Sequence, residues 1–361
     1  MLGGSKPPIS MPEPLPRTPA AQIARALGYL ALAGLVVLFV WLTLKVDLVI
    51  FAGVLLAVGL RRAAVCLGRL TRLPVGWALA VVVVLILIFF AAIGWFFSQG
   101  IASQINQLSQ QLPAAFTKLA GIVGKSAVGK AITQHVSSAN LQTSPTSMVS
   151  GFFGAAVNMV EVVGAVVVII FLGLYFAAEA ELYRHGLLRL VAPARRPRAG
   201  AILNETASAL WWWILGRLLS MTVLGVLAAL GLWIIGVPLP VALGLLVGLL
   251  AFIPYIGAIV SAVPSVLIAA SVRLDLALYV IVLFVAIHTV EGYILVPLVQ
   301  RRVVHLPPAL TLSALIIFGV LAGFLGLLLA TPLVAAIIVV VRMAYVEDLL
   351  GDRGAPSDPS E

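Results

Sequence analysis

Residues 75–97 read VGWALAVVVVLILIFFAAIGWFF, and this stretch contains no charged side chain. A helix needs roughly 20 consecutive apolar residues to cross the hydrocarbon core of a bilayer. Further apolar runs occupy 28–44, 46–60, 151–178, 215–236 and 276–297. These runs predict an all-α, polytopic helical membrane protein with six to eight spans, two of them broken re-entrant hairpins. The weak alternating pattern of an outer-membrane barrel is absent.

The composition of the whole chain supports the same class. Its 361 residues are 62% hydrophobic and only 10% charged, whereas soluble domains average roughly 45–50% apolar and 25% charged residues. A chain with this apolar content is not disordered. Because Cys66 is its single cysteine, the chain is not a disulfide scaffold either. The net charge of +9 does not indicate nucleic acid, because the basic residues are scattered between apolar runs.

The distribution of basic residues predicts the orientation. Placing both termini in the cytoplasm puts the loops 61–72 and 179–210 there too, and with the N-terminal tail they hold most of the 22 Lys and Arg residues. The predicted regions are a disordered cytoplasmic tail (1–27), a scaffold of three spans (28–97), an extracytoplasmic amphipathic helical region (98–150), a fourth span with a basic cytoplasmic loop (151–210), a transport region (211–346) and a cytoplasmic tail (347–361).

Sequence signatures of catalysis are absent. No His-Glu-x-x-His, Gly-x-Ser-x-Gly or Cys-x-x-Cys motif occurs, and the four histidines are far apart. The run Gly124-Lys125-Ser126 resembles the end of a phosphate loop, but Leu119 stands where that loop requires glycine. We therefore expect no enzyme activity, no metal site and no cofactor.

Two apolar blocks in the last third of the chain, 239–270 and 308–341, are interrupted near their middles. Pro254 and Gly257 interrupt the first block, and three glycines interrupt the second. Helix breaks inside hydrocarbon persist only within protein or beside a wet cavity. Two broken blocks entered from opposite sides are typical of inverted-repeat secondary transporters. The alternative is a packing kink between ordinary spans. The expected structural hinges are Pro264, Pro297 and Pro332.

Glu291 is the strongest candidate for a residue on a solute pathway. It lies three positions after His288, so both side chains share one helix face. An ionisable side chain within a span is costly unless it faces a cavity or a partner. We expect Glu291 to take up and release a proton during transport. The alternative is a position near the cytoplasmic face with a basic partner, which would be Arg217, Arg301 or Arg302.

Glu161, with Asn158 three residues before it, is the second acidic candidate. The alternative is a helix-end residue at the outer surface. The complete set of expected solute or ion pathway residues is Pro254, Tyr255, Gly257, His288, Glu291, Gly323, Gly326, Asn158 and Glu161.

The same stretches resemble the AI-2E family, the autoinducer-2 exporter-like permeases of bacteria. The resemblance rests on Phe252-Ile253-Pro254-Tyr255-Ile256-Gly257, on Glu291-Gly292-Tyr293-Ile294-Leu295-Val296-Pro297, on Val303-Val304-His305-Leu306-Pro307, and on the glycine-rich run from Gly319 to Leu333. It implies an inner-membrane protein that exports autoinducer-2 or exchanges sodium for protons. It also implies a homo-oligomer, such as a pentamer, with a moving transport domain of the elevator kind.

Two classes of function remain open from the sequence. The first is a secondary transporter of a small polar solute, with a Na⁺(Li⁺)/H⁺ antiporter as its variant. The second is a membrane scaffold or regulator that transports nothing. The expected partners are the solute, a proton or sodium as coupling ion, membrane lipids and further copies of the chain, with no nucleic acid.

Overall fold

The computed structural model describes residues 19–98, 104, 107, 110, 111, 159–295 and 307–352. The regular structure of this part of the chain is helical, without a strand, which confirms the all-α class. Its elements are α1 (Pro19–Thr71), α2 (Val75–Ser98), α3 (Met159–Ala178), α4 (Ala180–Arg189), a 3₁₀ turn (Pro193–Arg195), α5 (Arg196–Ile235), α6 (Pro240–Leu250), α7 (Ile256–Val272), α8 (Leu274–Val290), a π-helical turn (Glu291–Leu295), α9 (Pro308–Val341) and a second π-helical turn (Arg342–Glu347).

Within the described ranges, four stretches are long and apolar enough to cross a bilayer. They are Trp41–Thr71, Pro193–Ile235, Leu274–Leu295 and Pro308–Glu347. The pair α3 and α4, which bends by 80° between the two helices, makes a fifth if it forms one span. Shorter apolar helices in the same ranges are Val75–Phe89 of α2, α6 and α7. The chain is a multi-pass helical membrane protein.

Helix α1 differs from the sequence prediction in two ways. It begins at Pro19, inside the tail predicted to be disordered, because the residues that follow are strong helix formers. It also continues through Lys45 and Asp47, where we predicted a break between two spans. The Oγ1 atom of Thr43 lies 2.8 Å from Oδ2 of Asp47, one turn further on. The polar residues are therefore accommodated within a helix, and they do not end it.

The region predicted as a basic cytoplasmic loop, 179–210, is mostly helical. It contains α4, the 3₁₀ turn and the first turns of α5. Helix α5 has 40 residues and is therefore about 60 Å long, roughly twice the thickness of the hydrocarbon core. It ends at Gly236, whose φ of 83° is the left-handed conformation typical of a C-terminal cap.

The start of the predicted C-terminal tail is anchored to α5. Nη2 of Arg198 donates hydrogen bonds to Oε2 of Glu347 at 2.6 Å and to the Met343 carbonyl oxygen at 3.1 Å. Nε of the same arginine donates to Asp348 at 3.0 Å. These contacts, which we name the Arg198 clasp, hold the start of that tail against α5.

Helices α6 and α7 form a hairpin, here named the first hairpin (240–272). Ala242 near the start of α6 and Ile268 near the end of α7 are buried in one core cluster, together with Leu232 of α5 and Leu276 of α8. Helix α6 has 11 residues, which gives about 17 Å of rise, against a hydrocarbon thickness of about 30 Å. The hairpin is therefore too short to make two full spans.

Small residues allow α6 to pack directly on α5. A Cβ atom added at Gly244 would lie 2.5 Å from Cβ of Ala229, and one added at Gly248 would lie 2.8 Å from the Met221 carbonyl oxygen. Gly225 of α5 lies against the same two glycines of α6. This spacing of small residues permits close helix contact within a bilayer. The packing runs antiparallel and leads toward the tip of the first hairpin.

Helix α9 is also folded back on itself and forms the second hairpin (308–341). Its backbone is non-helical at Gly323, with φ 62° and ψ −137°. Ala314 and Ala330 are buried in one cluster, although roughly four turns of straight helix would separate them. Gly326 lies directly against the carbonyl group of Phe318. The chain therefore reverses at Gly323 and returns beside its own first arm.

Two of the predicted hinges lie inside helices, away from the breaks. Pro264 and Pro332 are buried inside α7 and α9, several residues after the breaks that begin those helical stretches. The interruptions lie instead at residues 251–255 and at Gly323, where the backbone leaves the helical conformation. Pro297 lies outside the described residues.

The tip of the first hairpin packs against the arms of the second hairpin. Ile253 of the first tip is buried with Ala314, Leu315 and Ala330 of the second hairpin. Phe252 and the start of α7 pack on the same cluster. The break of the first block is thus joined to helical residues in both arms of the second block.

Candidate functional site

A cavity of about 980 Å³ lies beside the first hairpin tip. Helix α5, the first tip, α8, the π-helical turn after α8 and both arms of the second hairpin line it. Its wall is mostly apolar, and its polar side chains include Arg217, Tyr255, His288, Glu291, Thr311 and Thr331. Cavities of this size, apolar with a few converging polar groups, are typical of small-molecule sites.

Glu291 and His288 form a hydrogen-bonded pair on the cavity wall. Nδ1 of His288 lies 3.0 Å from Oε2 of Glu291, and the two side chains are 24% and 19% exposed. A carboxylate only accepts hydrogen bonds, so this contact assigns a proton to Nδ1 when Glu291 is ionised. His288 and Glu291 therefore lie on one helix face, as predicted. The π-helical turn begins at Glu291.

Arg217 joins this pair to the first hairpin tip. Its Nε donates a hydrogen bond to the Phe252 carbonyl oxygen at 2.9 Å, and its Nη1 lies 3.9 Å from Oε1 of Glu291. The arginine side chain is only 13% exposed. Glu291 therefore lines the cavity and also faces a basic partner, and Arg217 is the one of its three candidate partners that the described residues bring to it. The other two candidate partners, Arg301 and Arg302, lie outside the described residues.

The tip itself has strained backbone. Tyr255 has φ 60° and ψ −54°, and the Ile256 amide donates to the Pro254 carbonyl oxygen at 2.6 Å. This is a γ-turn of the rare, strained form, and such strain tends to collect at functional sites. Gly257 follows, pressed against the carbonyl group of Leu250, where a Cβ atom would not fit. The tight turn presents Tyr255 to the cavity.

An aromatic contact supports the tip from α5. The rings of Trp213 and Phe252 meet edge to face, with centroids 5.5 Å apart and planes at 87°. Edge-to-face geometry is favourable because the positive ring edge meets the negative face. Trp213 also lines the cavity, so its indole is a natural reporter of events there.

Two buried polar atoms on the cavity wall lack a hydrogen-bond partner among the described residues. They are Oγ1 of Thr331 and Nε2 of His288. Thr331 is only 5% exposed, and an unsatisfied buried polar group is costly. Both atoms belong to residues that line the cavity.

The structure brings together four of the nine predicted pathway residues. Pro254, Tyr255, His288 and Glu291 all line the cavity. The three predicted glycines, Gly257, Gly323 and Gly326, shape the hairpin breaks next to it. Asn158 lies outside the described residues, and Glu161 belongs to α3, where its side chain lies outside the description as well.

From the sequence we named Arg217 only as an alternative partner of Glu291, and we did not select Thr311 or Thr331. A single arginine inside the apolar run 215–236 is itself a signal of a functional site, by the same reasoning that selected Glu291. The two threonines carry no such signal, because hydroxyl side chains are common in spans. They reach the cavity only because the second hairpin folds back and brings both arms to it.

Within the described ranges, no group of three or more His, Cys, Asp or Glu side chains is placed to hold a metal ion. The described side chains that line the cavity provide one guanidinium, one carboxylate–imidazole pair and several hydroxyl groups around an apolar space.

Comparison with known proteins connects this architecture to transport. A family model described as AI-2E family transporter matches residues 29–345. The candidate transport protein YrrI of Bacillus subtilis (strain 168) is 28% identical over 266 residues, which are 71% of this chain and 75% of that protein. MT0215 of Mycobacterium tuberculosis, also a candidate transport protein, is 30% identical over 54% of this chain and 53% of its own length. YhhT of Escherichia coli (strain K12), of the same description, is 27% identical over 55% of each chain.

The family match covers most of the chain and includes every element that lines the cavity. The relatives are described in terms of transport, and the fold is that of a multi-pass membrane protein. The chain belongs to the AI-2E family of permease-type transporters.

Proposed function

We propose that this protein is a secondary transporter that moves a small polar organic solute, such as the furanone autoinducer-2, across the bacterial inner membrane. One observation carries the proposal. A cavity of about 980 Å³ in an otherwise apolar bundle contains the Arg217, His288 and Glu291 cluster at the tip of a broken hairpin. Charged groups in such a place cost free energy, so their presence indicates a functional role.

The two hairpins and α8 are the proposed moving part. The first hairpin tip and the arms of the second hairpin share one buried cluster around Ile253 and Ala330, and α8 packs on the first hairpin. These contacts favour movement of the three elements as one body, which would alternate the exposure of the cavity between the two sides. The first spans would form the stationary scaffold, with both termini in the cytoplasm and several copies assembled into a homo-oligomer.

Glu291 is the proposed coupling residue. Its charge is balanced by Arg217 at 3.9 Å and by the hydrogen bond from His288 at 3.0 Å. A proton on this cluster would change its net charge by one unit. Moving a net charge through an apolar layer is expensive, so the protonation state of the cluster would control which loaded form of the site moves.

A Na⁺(Li⁺)/H⁺ antiporter is the second candidate. Its support is the presence of oxygen ligands around one cavity, namely the Glu291 carboxylate and the hydroxyl groups of Thr311 and Thr331. Hard cations prefer such oxygen ligands. The positive charge of Arg217 beside the carboxylate opposes a second cation, and this places the organic solute first.

The test uses the purified protein in proteoliposomes with an acidic lumen and a pH-sensitive dye. Na⁺, Li⁺ or the furanone is added outside, and proton efflux is followed for the wild type and for Glu291→Gln. Glu179→Gln serves as the matched control, because Glu179 is an exposed carboxylate between α3 and α4. The proposal expects efflux driven by the furanone, lost in Glu291→Gln and retained in Glu179→Gln.

The other outcomes separate the alternatives. Efflux driven by Na⁺ or Li⁺ and lost in Glu291→Gln would establish the antiporter. Furanone-driven efflux that survives Glu291→Gln would remove the coupling role from that residue. If labelled furanone, sodium and other small solutes all fail to cross, the scaffold or regulator class replaces transport.

A further inference from the structure

Arg217 has hydrogen-bonding capacity that the described residues leave unused. A guanidinium carries five N–H donors, and the Nε–H of Arg217 is taken by the Phe252 carbonyl oxygen. The nearest carboxylate oxygen, on Glu291, is 3.9 Å from Nη1, which is beyond hydrogen-bond length. In the described part of the chain the two Nη groups therefore donate no hydrogen bond, although the side chain is only 13% exposed.

Two further atoms complete an open set of polar groups around the same cavity. Oγ1 of Thr331 comes from the second hairpin and Nε2 of His288 from α8, and both are buried without a partner among the described residues. With Nδ1 engaged by Glu291, Nε2 accepts a hydrogen bond when the imidazole is neutral and donates one when it is protonated. Three residues from separate elements that line the cavity thus carry polar groups without a partner among the described residues.

The charged side chains around the cavity determine whether a bound molecule is an anion or a cation. Among the described residues, the titratable side chains that line it are Arg217, Tyr255, His288, Glu291 and Tyr293. With Arg217 positive, Glu291 negative and the others neutral, the net charge of these side chains is zero. A singly charged anion brings it to −1, and one proton on the His288–Glu291 pair returns it to zero. A metal cation would instead place a second positive charge beside the guanidinium.

We propose that the cavity binds small organic monocarboxylates, each together with one proton. The Nη groups of Arg217 would hold the carboxylate in the bidentate arrangement that guanidinium favours. The Thr331 hydroxyl would donate to the same group, and the proton would reside on the His288–Glu291 pair. Apolar side chains of α7 and α8, such as Val266, Ile281 and Phe284, would contact the rest of the ligand.

This inference rests on the proposed transport function and adds a substrate class to it. A carboxylate with its proton carries the same net charge as a neutral solute. The same cavity can therefore move either load without exposing a net charge to the apolar layer. A single guanidinium and a single exchangeable proton match one negative charge, which disfavours dicarboxylates and phosphate esters.

The binding test includes one pair of ligands, lactate and lactamide, that differ in charge but hardly in shape. The full-length protein in nanodiscs is titrated with L-lactate, acetate, pyruvate and benzoate, and with lactamide as the neutral counterpart of lactate. Trp213 lines the cavity, so its fluorescence reports occupancy, and Trp213→Phe identifies that part of the signal. We expect saturable binding of one or more carboxylates and weaker binding of lactamide by about tenfold or more.

Variants of Arg217 and Glu291 test which side chains bind the carboxylate and its proton. Arg217→Gln should weaken carboxylate binding by about tenfold or more, and Arg217→Lys should keep part of it because the charge remains without the bidentate geometry. Arg189→Gln is the matched control, since Arg189 is exposed at the end of α4. Calorimetry in buffers of different ionisation enthalpy should show uptake of about one proton per carboxylate, lost in Glu291→Gln.

The results that overturn the inference differ from those that overturn transport. Absence of saturable binding by every carboxylate, equal binding of lactamide and lactate, or wild-type binding by Arg217→Gln would each remove the anion site. If Arg217→Gln transports the furanone as fast as the wild type does, the transport function remains supported and the anion site does not. Carboxylate binding without flux of any solute in proteoliposomes would instead keep the site and contradict the proposed function.

Discussion

The Nε atom of Arg217 donates a hydrogen bond to the Phe252 carbonyl oxygen at 2.9 Å, which ties a charged residue of α5 to the tip of the first hairpin. The same guanidinium lies 3.9 Å from the Glu291 carboxylate. One side chain therefore contacts both the irregular backbone of the tip and the ionisable pair of the cavity. A change of charge at Glu291 acts on the group that holds the tip in place.

We expect Arg217→Gln to loosen the tip. Loss of the donor leaves the Phe252 carbonyl oxygen without this charge-assisted bond, so residues 251–257 should exchange amide hydrogens faster than in the wild type. Hydrogen–deuterium exchange with mass spectrometry measures this directly. Exchange in α1 should not change, and Arg189→Gln should leave the tip as it is. Equal exchange of the tip in Arg217→Gln and the wild type would contradict the role of this bond.

Gly257→Ala and Gly326→Ala should both destabilise the protein. In each hairpin the added methyl group meets a backbone carbonyl, that of Leu250 or Phe318, which has no rotamer by which to move away. We expect each change to cost about 1–3 kcal/mol, as overpacking does, and to lower the thermal unfolding temperature. Gly164→Ala is the control, because no atom lies within 4 Å of a Cβ atom built there. Unchanged melting of both hairpin variants would refute the close approach.

At Tyr255 the usual preference for alanine over glycine should be reversed. Its φ of 60° and ψ of −54° suit glycine and strain any residue with a Cβ atom. Tyr255→Gly should therefore be more stable than Tyr255→Ala, by about 1 kcal/mol. Ile316, exposed inside the first arm of α9, gives the opposite order, with Gly less stable than Ala by about 1 kcal/mol. Thermal unfolding of the four variants tests both orders, and the same order at both positions would speak against strain at the tip.

Breaking the Arg198 clasp should release the C-terminal end of the structure. Arg198→Glu removes three hydrogen bonds and places like charges beside Glu347 and Asp348. We expect faster proteolysis and faster amide exchange of residues 342–352. The charge swap Arg198→Glu with Glu347→Arg should restore part of the protection, because it recreates one opposite-charge pair. If the swap behaves like the single variant, the pair does not provide the anchoring.

The apolar runs determined that the chain is an all-α membrane protein, because hydrophobic length and the absence of charge are properties of the sequence itself. The same features of the sequence predicted a helix break around Pro254 and singled out Glu291 and His288. Each of these conclusions depends on local features, such as a missing amide proton, a missing side chain or an ionisable group in an apolar run.

The tertiary structure decided which of these features meet. Arg217, Phe252 and Glu291 come from three separate elements, and only the antiparallel packing of α5 on α6 brings the arginine to the hairpin tip. Thr331 reaches the cavity because the chain reverses at Gly323. Contacts between distant segments depend on how whole helices pack, and hydrophobic pattern does not encode them. The sequence therefore identified the ionisable pair, and the fold supplied the guanidinium and the hydroxyl that complete the site.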